Sequence, residues 1–140
     1  MKSKAPLALM ELILMVLVFA LAAGLCLQVF VFAGQVSRNC EAKDRAMLVV
    51  QNAAEVWKIN DGDAQKCVQK LGGEVDASVW QIGYDATWEK TPVSEAEYLV
   101  RAVPIETNDP LLGFATVSAQ TADGESLFQV DIAWQEAGDE

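Results

Sequence analysis

The residue types that most often carry enzymatic chemistry are sparse in this chain. It has 140 residues and no histidine, which excludes a Ser-His triad, a Cys-His pair and an imidazole metal ligand. The sequence also lacks a Gly-x-Ser-x-Gly motif, a phosphate-binding loop, a dinucleotide fingerprint and a metal-binding cysteine pair. We therefore predict that the protein is not an enzyme, and that it has no catalytic residue and no cofactor.

Four acidic residues lie close together in the sequence and could offer oxygen ligands to a hard cation such as calcium. They are Asp61, Asp63, Glu74 and Asp76. Their spacing lacks the alternating acids of a calcium-binding loop, and Lys66 lies among them. We interpret these side chains as turn and helix-capping residues and predict no metal site.

The net charge and the composition narrow the possible partners. The chain has 20 acidic and 10 basic residues, and its formal net charge is −10. Because such a surface repels a phosphate backbone, nucleic acid is not expected as a partner. The hydrophobic residues, 52% of the chain, are concentrated at the N-terminal end.

The segment 7–34 is almost entirely apolar. A helix rises about 1.5 Å per residue, so roughly 20 apolar residues cross a bilayer core of about 30 Å. Lys2 and Lys4 precede the segment, and the next basic residue is Arg38. Since positive charge stays on the cytoplasmic side, the sequence predicts a single-pass protein of the cell membrane with a cytoplasmic N-terminus and an outside C-terminal domain.

A cleaved signal peptide and a buried core helix are the alternatives for this segment. The residues Ala20 to Ala22 resemble a signal-peptidase site. However, the apolar run continues to Phe32, which is too long for the hydrophobic region of an ordinary signal peptide, and Glu11 has no role in such a region. A core helix that is apolar on every side would need a larger domain than this chain offers. Both observations favour a retained transmembrane helix.

Glu11 places a carboxylate within the apolar segment. A carboxylate inside a bilayer costs roughly 2.5 to 3.5 kcal/mol on insertion scales, so it usually has a partner or a function. One interpretation is that Glu11, one helical turn after Leu7, reaches the headgroups or is protonated. The other is that it pairs with another subunit, and the N-terminal amine of a neighbour beginning near Leu7 would be a suitable group.

This arrangement resembles type IV pilins and type II secretion pseudopilins, in particular divergent pseudopilin-like proteins of Gram-positive bacteria. In that family a short basic leader is cleaved, and a glutamate is the fifth residue of the mature, apolar N-terminus. The matching parts here are a leader over 1–6, a mature start at Leu7, and Glu11 as its fifth residue. Pro6 stands where the family normally has glycine, and Leu7 where it has a methylated phenylalanine, so Pro6 and Leu7 form a possible processing site.

The resemblance implies a structural subunit of a type IV pilus-like or type II secretion pseudopilus-like filament or membrane complex. The apolar helix would assemble with homo- or hetero-oligomeric pilin-like subunits in the lipid bilayer, and Glu11 would set their axial register. A prepilin peptidase and an assembly ATPase or platform would be further partners. The alternative left open is an uncleaved single-pass membrane protein whose extracytoplasmic domain binds an envelope partner or ligand.

The remainder of the chain, 35–140, predicts a pilin-like α+β extracytoplasmic domain. The transmembrane helix should continue into it, although a break near Gly34 is an alternative. Short runs in which apolar and polar residues alternate, with a turn at an Asp-Gly pair, predict a four- or five-stranded antiparallel sheet. The predicted elements are a helix over 35–60, a short helix over 63–71, and strands at about 79–84, 86–89, 98–105, 112–120 and 126–135.

Apolar residues at helical spacing predict which face of the helix over 35–60 covers the sheet. They are Val36, Met47, Val50, Ala54 and Trp57.

The cysteines and two tryptophans complete the candidates. Cys40 should lie about 27 Å before the end of the long helix, too far from Cys67 for an intrachain disulfide, so we expect free thiols or intermolecular bonds. Trp80 and Trp88 fall on short strands, where packing is favoured over an exposed contact or carbohydrate platform.

Overall fold

A computed structural model describes residues 4–136 of the chain. These residues form two helices, a short 3-10 turn and six strands, which confirms the predicted α+β class. Residues 1–3, with Lys2 of the predicted leader, and residues 137–140 lie outside the described residues. By contacts between residues the chain divides into two units, one up to Cys40 and one from Glu41 onward.

Helix α1 runs from Ala5 to Ile59, 55 residues without interruption. At about 1.5 Å per residue it is about 80 Å long. Pro6 lies in the first turn, where its missing N–H leaves no helical hydrogen bond unmade. The alternative of a helix broken near Gly34 is therefore wrong, and so is that of a buried core helix, because every residue from Lys4 to Cys40 is exposed.

A left-handed turn ends α1. Asp61 and Gly62 have φ angles of 52° and 72°, which a helix cannot continue. Helix α2 then extends from Ala64 to Leu71. The side chain of Asp63 caps it by accepting hydrogen bonds from the backbone N–H groups of Gln65 and Lys66, as the sequence predicts.

The sheet is antiparallel throughout and has the order β1-β2-β4-β5-β6, with β3 paired to β2 off this path. It contains six strands rather than four or five. The strands are β1 (Glu74–Asp76), β2 (Val79–Tyr84), β3 (Lys90–Thr91), β4 (Tyr98–Ile105), β5 (Leu112–Thr121) and β6 (Ser126–Gln135).

The prediction of a strand over 86–89 is wrong. The Oδ1 atom of Asp85 accepts hydrogen bonds from the Thr87 hydroxyl at 2.7 Å, the Thr87 N–H at 2.9 Å and the Glu89 N–H at 3.0 Å. The hydrogen bond from the Thr87 side chain, followed by that from the Glu89 backbone, lowers the pKa of this carboxyl. Trp88 has a φ of 63°, which no strand residue adopts. The apolar alternation here belongs to a turn closed by a carboxylate.

The core of the second unit lies between the last third of α1 and one face of the sheet. Its two largest buried side chains are Trp57 of α1 and Trp80 of β2, and the same cluster contains small side chains on β4 and β5, those of Ala102, Ala115 and Ala119. The buried apolar residues are Ala46, Val50, Ala53, Ala54, Trp57, Cys67, Trp80, Ile82, Val100, Ala102, Ala115, Val117, Ala119 and Ile132.

The predicted packing stripe on α1 is only partly buried. Val50, Ala54 and Trp57 lie in the core, and Met47 is half-buried. The predicted packing of Val36 on the sheet is wrong, because its side chain is 43% exposed. The buried part of α1 begins about 15 Å further along the helix.

Candidate functional site: the apolar surface of helix α1

The first half of α1 presents the largest run of exposed apolar side chains in the described residues. Its large hydrophobic side chains from Leu7 to Phe32 are each 54% to 75% exposed. They surround the helix on all sides, so no polar face remains to meet water. Water-soluble monomers rarely expose an apolar surface of this extent, which is typical of contact with lipid or with other apolar helices.

By length and composition, α1 can cross a membrane. The apolar segment lies within one uninterrupted helix, and its side chains are not covered by other parts of the described chain.

Glu11 is the only acidic side chain on this part of α1. Its carboxylate is exposed and, within the described residues, accepts no hydrogen bond and forms no ion pair. A shallow apolar groove on the helix surface surrounds it, lined among others by Leu7, Leu14 and Leu17, with Lys4 at one end. The structure thus places Glu11 and Leu7 on one side of the helix, about 6 Å apart along its axis.

Of the four clustered acidic residues, Asp61 and Asp63 have the predicted turn and capping roles, whereas Glu74 and Asp76 lie on strand β1. Asp63 caps α2 and lies 3.7 Å from the Lys66 ammonium, while Glu74 accepts a hydrogen bond of 2.8 Å from the Gln81 side chain. Across residues 4–136 the structure contains no group of three or more potential ligands that could hold a metal ion.

The tryptophans pack as the sequence analysis favours. Trp80 is 1% exposed, and its indole N–H donates to the carbonyl of Gly72 at 2.9 Å. Trp88 stacks on Tyr98, with ring centroids 4.3 Å apart and planes 9° apart, and its other neighbour is Tyr84 at 5.8 Å. Two exposed tryptophans in one binding platform are therefore not present in the described domain.

The cysteines are free thiols with different surroundings. Cys40 is exposed on α1, whereas Cys67 is the buried residue of α2. Burial, followed by the charge of Asp63, raises the pKa of the Cys67 thiol to about 11. Cys67 therefore stays protonated near neutral pH and acts as a small core residue, with little of the reactive thiolate.

The outer edge of β6 is a surface that the sequence does not predict, because it depends on β6 being the last strand of the sheet. The signal that could have drawn attention to it is the absence of lysine and arginine after Arg101.

No known protein-family model matches this chain, and neither a curated protein nor a solved structure matches it. Its pilin-like architecture is therefore recognised from the fold alone: a long apolar N-terminal helix followed by an antiparallel sheet.

Proposed function

We infer that this protein is a structural subunit of a type IV pilus-like or type II secretion pseudopilus-like filament or membrane complex. The observation that carries this proposal is one 55-residue helix whose first half exposes every large hydrophobic side chain. The last third of the same helix supplies Trp57 and Val50 to the core of a folded α+β domain. Such a helix can join an apolar bundle at one end while carrying a soluble domain at the other.

Glu11 would give the apolar bundle its register. Helices in lipid gain little from hydrophobicity alone, so close packing and polar pairs decide how they associate. An unpaired carboxylate inside a bilayer raises the free energy of insertion, and pairing with a neighbour's N-terminal amine would offset that cost. Cleavage between Pro6 and Leu7 would create that amine at Leu7. Registers that leave Glu11 unpaired would then be disfavoured.

The charge distribution supports the proposed orientation. Lys4 precedes the apolar segment, and the part of the chain from Gln35 onward has eight basic and nineteen acidic residues, a net charge of −11. The basic end would stay in the cytoplasm and the acidic domain would lie outside. Excess negative charge keeps such a domain soluble and repels it from anionic surfaces.

The proposed partners follow from this role. They are the lipid bilayer, further pilin-like subunits of the same or related sequence, a prepilin peptidase that processes the leader, and an assembly ATPase or platform. The role requires no catalytic residue, metal or cofactor of the chain itself.

The intact mass of the protein isolated from its native membrane tests the proposed processing. We expect a chain that begins at Leu7, with or without one added methyl group, because this places Glu11 fifth. A mass that still includes Lys2 and Lys4 would contradict processing. That result would favour the alternative of an uncleaved single-pass anchor whose outer domain binds an envelope partner or ligand.

A further inference from the structure

Strand β6 is long and has one free edge. Among the described residues it pairs only with β5, and it ends the strand order of the sheet. It has ten residues, from Ser126 to Gln135, and none of them is lysine or proline. Proteins usually prevent an edge of this length from pairing with another chain by placing lysine or proline on it, by a bulge that turns it away, or by covering it with another element. The single irregularity of β6 lies at its start, opposite Ala119 and Gln120, and leaves the rest of the edge regular.

The ladder with β5 shows which backbone groups of β6 are free. The N–H of Glu136 donates to the carbonyl of Leu111 at 3.0 Å, and antiparallel pairs alternate between bonded and non-bonded. From Phe128 to Trp134, beyond the irregularity at the start of the strand, the even-numbered residues of β6 therefore direct their N–H and C=O groups toward β5. Gln129, Asp131 and Ala133 direct theirs to the open side, and all three residues are exposed. This row of donors and acceptors is what an added strand requires.

The free edge has one acidic residue at its centre and acidic residues beyond both of its ends. After Arg101 the sequence has eight acidic residues and no basic one. Asp123 and Glu125 lie in the turn before β6, Asp131 lies at its centre, and Glu136 follows it. Opposite charges on paired strands stabilise the pair, and like charges destabilise it. Pairing of β6 with β6 of a second copy would bring two such acidic rows together.

We propose that the free edge of β6 binds an extended basic segment of another protein, which adds to the sheet as a further strand. At the centre of β6, polar side chains on the outer face alternate with apolar side chains on the core face. Asp131 and Gln129 lie on the outer face, whereas Phe128, Val130 and Trp134 lie half-buried on the core face. A segment that alternates lysine with an apolar residue would place ammonium groups beside Asp131 and apolar groups beside Val130. This interaction does not depend on filament assembly.

The test uses the full chain in an uncharged detergent and an eight-residue peptide of alternating lysine and valine. We expect saturable binding, and we expect Ala133→Pro to weaken it by at least about tenfold, because the proline removes an outward N–H that β-augmentation uses. Proline is tolerated on an edge strand when its N–H would face solvent. Ala133→Ser keeps the N–H and should bind as the unmodified chain does.

A second variant tests the charge without a backbone change. The Asp131 carboxylate accepts a hydrogen bond of 2.7 Å from the Thr116 hydroxyl. Asp131→Asn keeps the shape of the side chain and an oxygen that can accept this bond, and we expect about fivefold weaker binding. If Ala133→Pro does not fold, as judged by circular dichroism, Asp131→Asn combined with Glu125→Gln supplies the test. A glutamate-valine peptide should not bind.

Several results would overturn the proposal. These are no binding of the lysine-valine peptide, unchanged binding to the Ala133→Pro or Asp131→Asn variants, and equal binding of a lysine peptide whose central valines are prolines, which would mean attraction by charge alone. Self-association that Ala133→Pro abolishes would assign the edge to a second copy and overturn the proposal as well.

Discussion

Replacing Glu11 by alanine is expected to reduce the assembled fraction of the protein at least about tenfold while leaving membrane insertion intact. A tenfold change corresponds to about 1.4 kcal/mol, which is within the cost of roughly 2.5 to 3.5 kcal/mol for an unpaired charge in a bilayer. In the variant the neighbour's N-terminal amine would lose its counter-charge. Since removing a carboxylate makes insertion easier, failure to insert cannot produce this result.

Two further variants separate charge from packing at this position. Glu11→Asp retains the carboxylate on a shorter side chain and should restore part of the assembly. Leu14→Ala truncates an exposed apolar side chain in the same groove and should have a much smaller effect. Assembly is measured by sedimentation or size distribution of the membrane-extracted protein, and insertion by resistance to alkaline extraction. Normal assembly of Glu11→Ala would exclude the register role.

The second large effect is expected from Trp57→Ala, which should lower the free energy of unfolding of the outer domain by about 3 to 5 kcal/mol. Trp57 is 1% exposed and joins α1 to the sheet, so its loss leaves a large cavity in the core. Domains are usually stable by only about 5 to 15 kcal/mol, and the variant would therefore be partly unfolded under mild denaturing conditions.

Urea unfolding of the full chain in detergent, followed by circular dichroism, measures this effect. Ile59→Ala is the matched control, because Ile59 lies two residues further along the same helix and is 69% exposed. We expect it to change the stability by less than about 0.5 kcal/mol. A loss below about 1 kcal/mol for Trp57→Ala would mean that the end of α1 does not hold the domain together.

The sequence predicts the elements whose patterns are long. The predicted bounds of β4, Tyr98–Ile105, and β6, Ser126–Gln135, coincide with the observed ones. In β6 the alternation of apolar residues leaves one sensible register. The continuity of α1 follows from the absence of proline after Pro6 and from apolar residues at helical spacing through Trp57.

The short elements could not be predicted in the same way. Strands β1 and β3 have three and two residues, too few for a pattern, and exist because β2 pairs with both. The connection between β1 and β2 is formed by Ala77 and Ser78, both with positive φ, which sequence rules assign to glycine or asparagine. At 86–89 the Asp85 carboxylate overrides the alternating pattern.

The candidate site is predictable to a similar degree. Glu11 is recognised by residue type, since a lone acid in an apolar run needs an explanation. Two features depend on the tertiary structure. The burial of α1 begins later than its apolar stripe, so Val36 is exposed. The free edge of β6 follows from the order of the strands, which no local pattern in the sequence specifies.

The most direct test of the subunit role is a covalent link between Glu11 of one copy and the N-terminal amine of another. A membrane-permeant carbodiimide joins a carboxylate to an amine only when the two are in contact. Because Leu7 and Glu11 of one chain are also near each other, the membrane should contain a mixture of nitrogen-15-labelled and unlabelled chains. We expect a cross-linked peptide in which Glu11 comes from a labelled chain and Leu7 from an unlabelled one, or the reverse. Exclusively intrachain products, or none at Glu11, would contradict it.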